Sequence, residues 1–200
     1  NKFKSLWVGA DESIFYPIQK KEQKDFEVLF FGTFIPLQGI ETIIKTAKIV
    51  EDKKIKFRII GKGQLSSKID NLSQKLRIKN CEFIEWTPLE ELSQEIAKSD
   101  ICLGIFGSSR KAANVIPNKV FDAIACKKPC ITEDSPAIRE IFTDKKDILL
   151  VPPEDELSLS KVILNLKKDI HLRQKIAQNA YILFLKNFSV EAIGQQIKKL

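Results

Sequence analysis

The 200-residue chain is poor in the residues on which several common chemistries depend. It holds no methionine and one histidine, His171, in its helical C-terminal part, so no Ser-His-Asp or Cys-His combination is indicated. Its four cysteines form no C-x-x-C pair, which argues against a zinc site. No D-x-D triplet closes a strand, so no divalent ion is predicted. No run approaches the roughly 18–20 apolar residues of a membrane span.

Positive charge is in excess, with 33 Lys and Arg against 26 Asp and Glu and a formal net charge of +7. Such an excess suits nucleic acid, an anionic membrane face or a phosphorylated ligand. A solvated surface without a specific partner accounts for it equally well. The basic residues are spread along the chain without an arginine-rich tail, so a nucleic-acid partner is not expected.

From residue 26 onward, short apolar runs alternate with helical periods. Strand-helix alternation predicts a parallel sheet with helices on both faces, and strands that are apolar throughout are typical of such sheets. The predicted fold class is α/β, a Rossmann-like doubly wound parallel sheet of about six strands flanked by helices, with a helical C-terminal tail. The predicted strands lie at 28–31, 57–60, 81–84, 101–106, 130–132 and 148–151.

Ligands of such sheets bind beyond the carboxyl ends of the strands, and two glycine-bearing loops lie there. Gly32 and Gly39 frame a turn that enters a helix, a geometry that can hold a phosphate. The segment Gly61-Lys62-Gly63 starts like a dinucleotide fingerprint, but Ser66 occupies the third glycine position. In both loops, glycine is explained as well by turn geometry alone.

The third loop, 107–119, combines small residues with the cations Arg110, Lys111 and Lys119. Lys119 falls in the first turn of a proline-initiated helix, where a cation is unfavourable by a few tenths to ~1 kcal/mol. That position indicates an anionic ligand. Asp122 follows three residues later on a similar helix face, so the alternative is a surface Lys–Asp pair contributing well under ~1 kcal/mol.

In order and spacing, segments along nearly the whole chain resemble the C-terminal domain of the GT-B glycosyltransferases of family 4. The block Phe121-Asp122-Ala123-Ile124-Ala125 with Lys128-Pro129-Cys130-Ile131 resembles the family pattern f-E-A-m-A-x-G-x-P-V. The other matching segments are Gly9–Pro17, Phe31–Gly39, Ile59–Gly63, Arg139–Ile141 and Leu149–Pro153.

The resemblance implies a nucleotide-diphosphate sugar donor and anomer-retaining transfer to a glycan, lipid-linked or protein acceptor, without a metal or cofactor. It places Asp122 at the donor ribose, the first and third loops at the diphosphate, and the loop 61–64 with the strand 81–86 at the nucleobase. Asn114 is the candidate catalytic residue. The donor-binding candidates are Gly32, Thr33, Gln38, Gly39, Gly61, Lys62, Gly63, Arg110, Lys111, Asn118, Lys119, Asp122 and Glu140.

The sequence departs from the family pattern at three of these positions. Thr33 and Gln38 stand where the family has a phosphate-binding arginine and lysine, and a charge-assisted hydrogen bond contributes roughly 1.5–3 kcal/mol. The cations of the third loop are expected to compensate from the opposite side. Asn114 stands at the first glutamate of the family's E-x7-E motif; it can hydrogen-bond a sugar hydroxyl but cannot act as a carboxylate.

By the same resemblance, residues 1–25 are the end of an N-terminal domain with a linker. The apolar patch at 6–8 predicts a strand within this segment. Residues 26–188 are the nucleotide-sugar-binding domain, and 189–200 form a C-terminal helix. The chain begins at Asn1 and lacks methionine, so we expect a piece of a longer protein. Without the acceptor domain it is expected to be inactive. A cytoplasmic location at the inner membrane face, with peripheral membrane association and a role in polysaccharide biosynthesis, is the accompanying expectation.

Two other functions remain open. A degenerate, non-catalytic scaffold or regulatory domain would explain Thr33, Gln38 and Asn114. A sugar-phosphate-processing protein of the same fold, similar to an epimerase or a phosphorylase, is the third hypothesis.

Overall fold

A computed structural model of the chain describes residues 6–20 and 25–199. Residues 1–5 and 21–24 of the predicted linker and residue 200 of the predicted last helix lie outside the described residues. The apolar runs form a six-stranded sheet in the order β3-β2-β1-β4-β5-β6, with each adjacent pair parallel. This order confirms the predicted fold class. The strands are β1 (Phe26–Phe31), β2 (Ile55–Ile60), β3 (Cys81–Ile84), β4 (Ile101–Leu103), β5 (Cys130–Glu133) and β6 (Leu149–Val151).

Helices cover both faces of the sheet, and several begin at a side-chain cap. Ser135, Asp155, Asp169 and Ser189 each accept a hydrogen bond from a backbone N–H of the first turn that follows, as expected of these residue types. The helices are α1 (Ile40–Ile49), α2 (Ser66–Leu76), α3 (Leu89–Lys98), α4 (Arg110–Ala113), α5 (Asn118–Ala125), α6 (Pro136–Arg139), α7 (Glu156–Lys168), α8 (Ile170–Asn187) and α9 (Val190–Lys198), with 3-10 turns at Pro36–Gln38 and Glu51–Lys53.

Two apolar clusters, one on each face of the sheet, form the core. The alternation of strand side chains sends Val28 and Phe30 of β1 into the cluster under α1, α2 and α7. Leu29 and Phe31 enter the opposite cluster, under α5 and α8. Because both faces are covered, most strand positions are apolar, which is the pattern that predicted them.

The structure corrects the prediction for the N-terminal segment. Residues 6–8 were predicted to form a strand, but residues 6–20 contain neither strand nor helix. The segment instead lies against the C-terminal helices: the Ala10 N–H donates to the Phe188 carbonyl at 3.3 Å, and the Val190 N–H donates to the Glu12 carboxylate at 2.9 Å. Gly9 permits this approach, since a Cβ there would overlap the Phe188 carbonyl.

The strand predicted at 101–106 also ends three residues early, at the boundary of β4. Past that point the Gly104 N–H still donates to the Ile131 carbonyl and the Glu133 N–H to the Ile105 carbonyl, both at 2.8 Å. The Ile105 N–H, however, donates to the Thr132 hydroxyl at 3.1 Å rather than to a backbone carbonyl, so the regular ladder ends there. The Phe106 N–H then donates to the Gln38 carbonyl at 3.1 Å. The chain thereby leaves the sheet toward the loop that follows β1.

Phe188 ties the C-terminal helices to the main core, since its ring centroid lies 5.0 Å from that of Phe121 and 6.4 Å from that of Phe142. We expect Phe188→Ala to lose about 3–5 kcal/mol of unfolding free energy. At this chain length the melting temperature should fall by about 6–20 °C. Leu185→Ala, on the exposed side of α8, is the matched control and should change stability by about 0.5 kcal/mol or less. Equal melting temperatures for the two variants would mean that the tail does not belong to this core.

Candidate functional site

The candidate site lies at the carboxyl ends of β1 and β4, where the strand order reverses. Consecutive crossovers leave this point toward opposite faces of the sheet, which opens a crevice between the loops after β1 and β4. Here the two loops touch. Gly39 has a left-handed φ of 65°, and a Cβ there would collide with the Phe106 backbone. The Gly107 N–H donates to the Leu37 carbonyl at 3.3 Å, which fastens the loops together.

The loop after β2 joins the same surface. The Phe34 N–H donates to the Lys62 carbonyl at 3.2 Å, and the Leu65 N–H donates to the Phe34 carbonyl at 3.0 Å. Gly61, with φ 139°, leaves room for the Gly32 carbonyl. Ser66, which replaces the third glycine of a dinucleotide fingerprint, has its own role here, because its hydroxyl accepts a hydrogen bond from the Gly63 N–H at 2.9 Å. The predicted glycines thus line one continuous surface formed by the three loops.

Lys119, the second residue of α5, places its ammonium at the centre of this surface. Its side chain is only 7% exposed, and Nζ donates to Gln38 Oε1 at 2.5 Å. Nζ also lies 3.8 Å from the ring centroid of Phe30, a cation–π distance. A Cβ on Gly32, where φ is 143°, would stand 2.7 Å from Nζ. The absence of a side chain at Gly32 is therefore what lets the ammonium reach the end of β1.

Burial sets the protonation of the two titratable groups on α5. Desolvation lowers the pKa of Lys119 to about 7, against smaller opposing effects of Cys130 and Asp122. Desolvation likewise raises the pKa of Asp122 to about 7, with Lys119 opposing. Within the described residues the Asp122 carboxylate forms no ion pair or hydrogen bond. The alternative predicted from the sequence, an exposed Lys119–Asp122 pair, is therefore wrong, because the ammonium is buried against Gln38.

The other predicted cations differ from Lys119 in their exposure to solvent. Arg110 and Lys111 are exposed on α4, a short helix inside the predicted loop, and neither forms an ion pair in the described part of the chain. Asn114, the candidate catalytic residue, donates from Nδ2 to the Arg110 carbonyl at 2.6 Å. This bond closes the end of α4 and gives Asn114 a local structural role.

The remaining predicted residues are exposed. Thr33 lies at the surface of the first loop, and Asn118 begins α5. Glu140 follows α6, and its side chain makes no hydrogen bond or ion pair with the residues described. The structure thus brings Gly32, Gln38, Gly39 and Lys119 together, and it does not join Glu140 to them by any such bond.

Sequence reasoning did not single out Trp86, although it belongs to the segment 81–86 that the resemblance assigned to the nucleobase. Trp86 is 74% exposed, two residues beyond the end of β3. Beside it Lys62 and Glu85 form an ion pair at 3.1 Å. A tryptophan two residues beyond a predicted strand, at the end where ligands bind, is a signal that the sequence does contain.

Sequence reasoning also missed Glu133, which ends β5 and is 3% exposed. Both carboxylate oxygens are buried without a hydrogen-bond partner, and desolvation raises the pKa of this group to about 8. An acidic residue directly after the predicted strand 130–132 was the available signal, but nothing local shows that its side chain turns inward.

Burial disfavours the thiolate form of the four cysteines. Burial raises the pKa of the Cys102 thiol to about 11 and that of Cys81 to about 12. Across residues 6–20 and 25–199, no group of three or more His, Cys, Asp or Glu side chains could hold a metal ion. Over the same residues, no helix is both long and apolar enough to cross a membrane.

Comparison with known proteins identifies the family to which these features correspond. The family model "Glycosyl transferases group 1" matches residues 12–182. An uncharacterized glycosyltransferase of Methanocaldococcus jannaschii is 24% identical over 196 residues, which cover 98% of this chain and 52% of that protein. The chain thus spans about half the length of this relative.

Solved structures share the fold. The C-terminal domain of a group 1 family glycosyl transferase, LpcC of Francisella tularensis, has a TM-score of 0.79 at 23% identity. The match covers 91% of this chain and 100% of that domain. HepE of Anabaena in complex with UDP has a TM-score of 0.84 at 17% identity, over 98% of this chain and 56% of that protein.

The unpartnered Glu133 carboxyl should make stability depend on pH. Because its pKa is raised from 4.5 to about 8 on folding, the folded state keeps a proton that the unfolded state loses between these values. The free energy of unfolding should therefore fall as pH rises across this window. Glu133→Gln removes the titrating carboxyl and with it this pH dependence. The stability of the variant relative to wild type should therefore grow from about pH 5 to about pH 8, by roughly 1.4 kcal/mol per pKa unit at most.

Urea unfolding across this pH window measures the difference. The buried amide of Glu133→Gln also changes the free energy of unfolding by an amount that does not vary with pH. The test is therefore the slope of the unfolding free energy against pH, not its absolute value. Glu140→Gln, on an exposed side chain, is the control and should follow wild type. Parallel stability curves for Glu133→Gln and wild type would show that Glu133 does not titrate in this range.

Proposed function

The chain belongs to the group 1 glycosyl transferases, and we propose that it is the part of such an enzyme that binds a nucleotide-diphosphate sugar. The observation that carries this proposal is the Lys119 ammonium, buried at the glycine-lined ends of β1 and β4 and hydrogen-bonded to a neutral amide. A buried ammonium without an anionic partner is unfavourable. A phosphate bound at this surface supplies the missing negative charge.

The dimensions of the site suit a nucleoside diphosphate. Strands are spaced about 4.8 Å apart, so the end of β3 lies roughly 10 Å from the end of β1, two spacings along the sheet. With the diphosphate at Gly32 and Gly39, the base reaches the exposed indole of Trp86. Asp122 lies on the same helix as Lys119 and has no side-chain hydrogen bond or ion pair among the described residues. We propose that it accepts from the ribose hydroxyls.

The finer features of the reaction are part of this proposal. They comprise retention at the anomeric carbon, transfer without a metal ion, and a glycan, lipid-linked or protein acceptor. Because the chain spans 52% of the length of the M. jannaschii relative, we propose that a separate acceptor half completes the active site and that this chain alone is inactive. The location at the inner face of the membrane and the role in polysaccharide biosynthesis remain predictions from the sequence.

One observation favours the alternative of a non-catalytic domain. Asn114 replaces the expected glutamate, and its amide already serves the end of α4. A scaffold of this fold would bind no nucleotide, whereas an enzyme with altered chemistry would. Nucleotide binding therefore separates the two functions.

The first test is thermal unfolding of this chain with UDP, GDP, ADP, dTDP and CMP, with and without magnesium. A ligand at 100 times its Kd adds about 2.7 kcal/mol of stability, which corresponds to a shift of about 5–11 °C at this size. We expect one nucleoside diphosphate to give a selective shift that does not require magnesium. Asp122→Ala should reduce the shift, while Asp70→Ala, on the exposed side of α2, should leave it intact. No shift with any of these nucleotides would favour the scaffold.

Trp86 provides a separate test of where the base lies. Stacking of a base on an aromatic ring contributes about 1–3 kcal/mol, so Trp86→Ala should weaken nucleotide binding by about 5- to 150-fold. Binding should also quench tryptophan fluorescence in a Trp7→Phe background, where Trp86 is the only remaining tryptophan. Tyr16→Ala removes another exposed aromatic ring, from the N-terminal segment, and should bind as wild type. Wild-type affinity in Trp86→Ala would place the base elsewhere.

A further inference from the structure

The geometry around Gly32 assigns a specific place to one phosphate oxygen. A Cβ on Gly32 would lie 2.7 Å from Lys119 Nζ and 3.7 Å from Gln38 Oε1. Charge-assisted N–H···O hydrogen bonds span about 2.7–2.9 Å. An oxygen atom at the position that a side chain would take on Gly32 is therefore at bonding distance from the ammonium. A side chain at this residue would block that approach.

We propose that Lys119 is the phosphate-binding cation of this chain and that Gln38 is the residue that positions it under Gly32. The inference rests on the proposed function and goes further, because it gives Gln38, in the loop after β1, a positioning role and makes Lys119 the cation that contacts the phosphate. The resemblance led to the expectation of a general compensation by Arg110, Lys111 and Lys119. The structure favours Lys119 alone, since Arg110 and Lys111 are exposed on α4.

Gln38 can fix the ammonium because its side-chain carbonyl oxygen only accepts hydrogen bonds and Lys119 only donates them. The side chain of Gln38 is itself buried, 9% exposed, which limits the rotamers open to it. The Phe30 ring closes one side of the ammonium. With Gln38 in place, Nζ is held beside Gly32; without it, a flexible four-carbon side chain has no polar partner that would keep it there.

The inference also predicts that binding is coupled to a proton. The groups that face Lys119 are Cys130 on β5, Asp122 on α5, and the uncharged Gln38, Phe30 and Phe31. None of the described neighbours supplies a bonded carboxylate, so near neutral pH the lysine is only partly charged when no anion is bound to it. A phosphate at Gly32 favours the charged form, and the lysine should take up a proton when the nucleotide binds.

The test is a double-mutant cycle on nucleotide affinity, using whichever of UDP, GDP, ADP and dTDP binds the wild-type chain. Lys119→Met keeps the length and apolar packing of the side chain and should weaken binding at least about tenfold. Gln38→Met should weaken binding several-fold in the wild type but hardly at all when Lys119 is already methionine. The exchanged variant, Gln38→Lys with Lys119→Gln, keeps one cation and one amide and should recover most of the affinity.

Lys128→Met is the matched control for the loss of a buried lysine. Lys128 is also about nine-tenths buried, and its Nζ donates to the carbonyls of Ala97 and Ser99 at 2.8 Å. It precedes β5 and so lies at the opposite end of the sheet from the site. The variant should lose stability while its nucleotide affinity stays at the wild-type value.

Calorimetric titration in two buffers of different ionisation enthalpy measures how many protons are taken up when the nucleotide binds. At about pH 8 we expect uptake of up to about one proton per nucleotide by wild type and none by Lys119→Met. Independent, additive effects of the two single variants, or equal proton uptake in both proteins, would overturn this inference while leaving nucleotide binding intact. Failure of every nucleotide to bind wild type would overturn the proposed function, and this inference with it.

Discussion

The site depends on one physical constraint, the burial of a lysine ammonium at the end of a parallel sheet. Removing an ammonium from water is expensive unless polar partners replace its hydration. Here one amide oxygen and the face of Phe30 are the partners, and they leave part of its hydrogen-bonding capacity unused. An ammonium in this environment favours the binding of an anion at one defined position. In the part of the chain that the structure describes, no carboxylate bonds to Lys119; Asp122 acts on it only through space.

The glycines around this point are there because backbones approach one another closely. Gly39 makes room for the backbone at Phe106, Gly61 for the carbonyl of Gly32, and Gly32 for the ammonium. Turn geometry and ligand binding, which compete as explanations of a glycine in the sequence, are therefore not alternatives here. The same lack of a Cβ that allows the loops to join also leaves the backbone open to a bound phosphate.

The fold could be predicted because its signals are local. Continuous apolar strands such as 28–31, separated by amphipathic helices, are sufficient for a doubly wound sheet, and the six strands appear where they were expected. The predicted strand 101–106 was too long because the Ile105 N–H donates to the side chain of Thr132, on a neighbouring strand, instead of to a backbone carbonyl. Periodicity within one segment carries no information about such a partner.

The sequence could predict which residues belong to the site, but not how their side chains contact one another. The bond between Gln38 and Lys119 joins residues 81 apart in sequence, and the inward turn of Glu133 depends on the packing of neighbouring strands. The resemblance assigned the first loop, 32–39, and the third loop, 107–119, to the same diphosphate. It could not indicate that Lys119 would be buried while Arg110 and Lys111 remain in water, because that difference arises from the short helix α4.

The contact between the N-terminal segment and the C-terminal helices has a consequence for the order of folding. The bond from the Val190 N–H to Glu12 closes 178 residues of chain, and contacts of such long range form slowly because loop closure is entropically costly. The segment packs on a surface that exists only once α8 has docked on the sheet. We therefore expect residues 6–20 to attach last during folding and to detach first in local unfolding, while the sheet and its nucleotide surface remain intact.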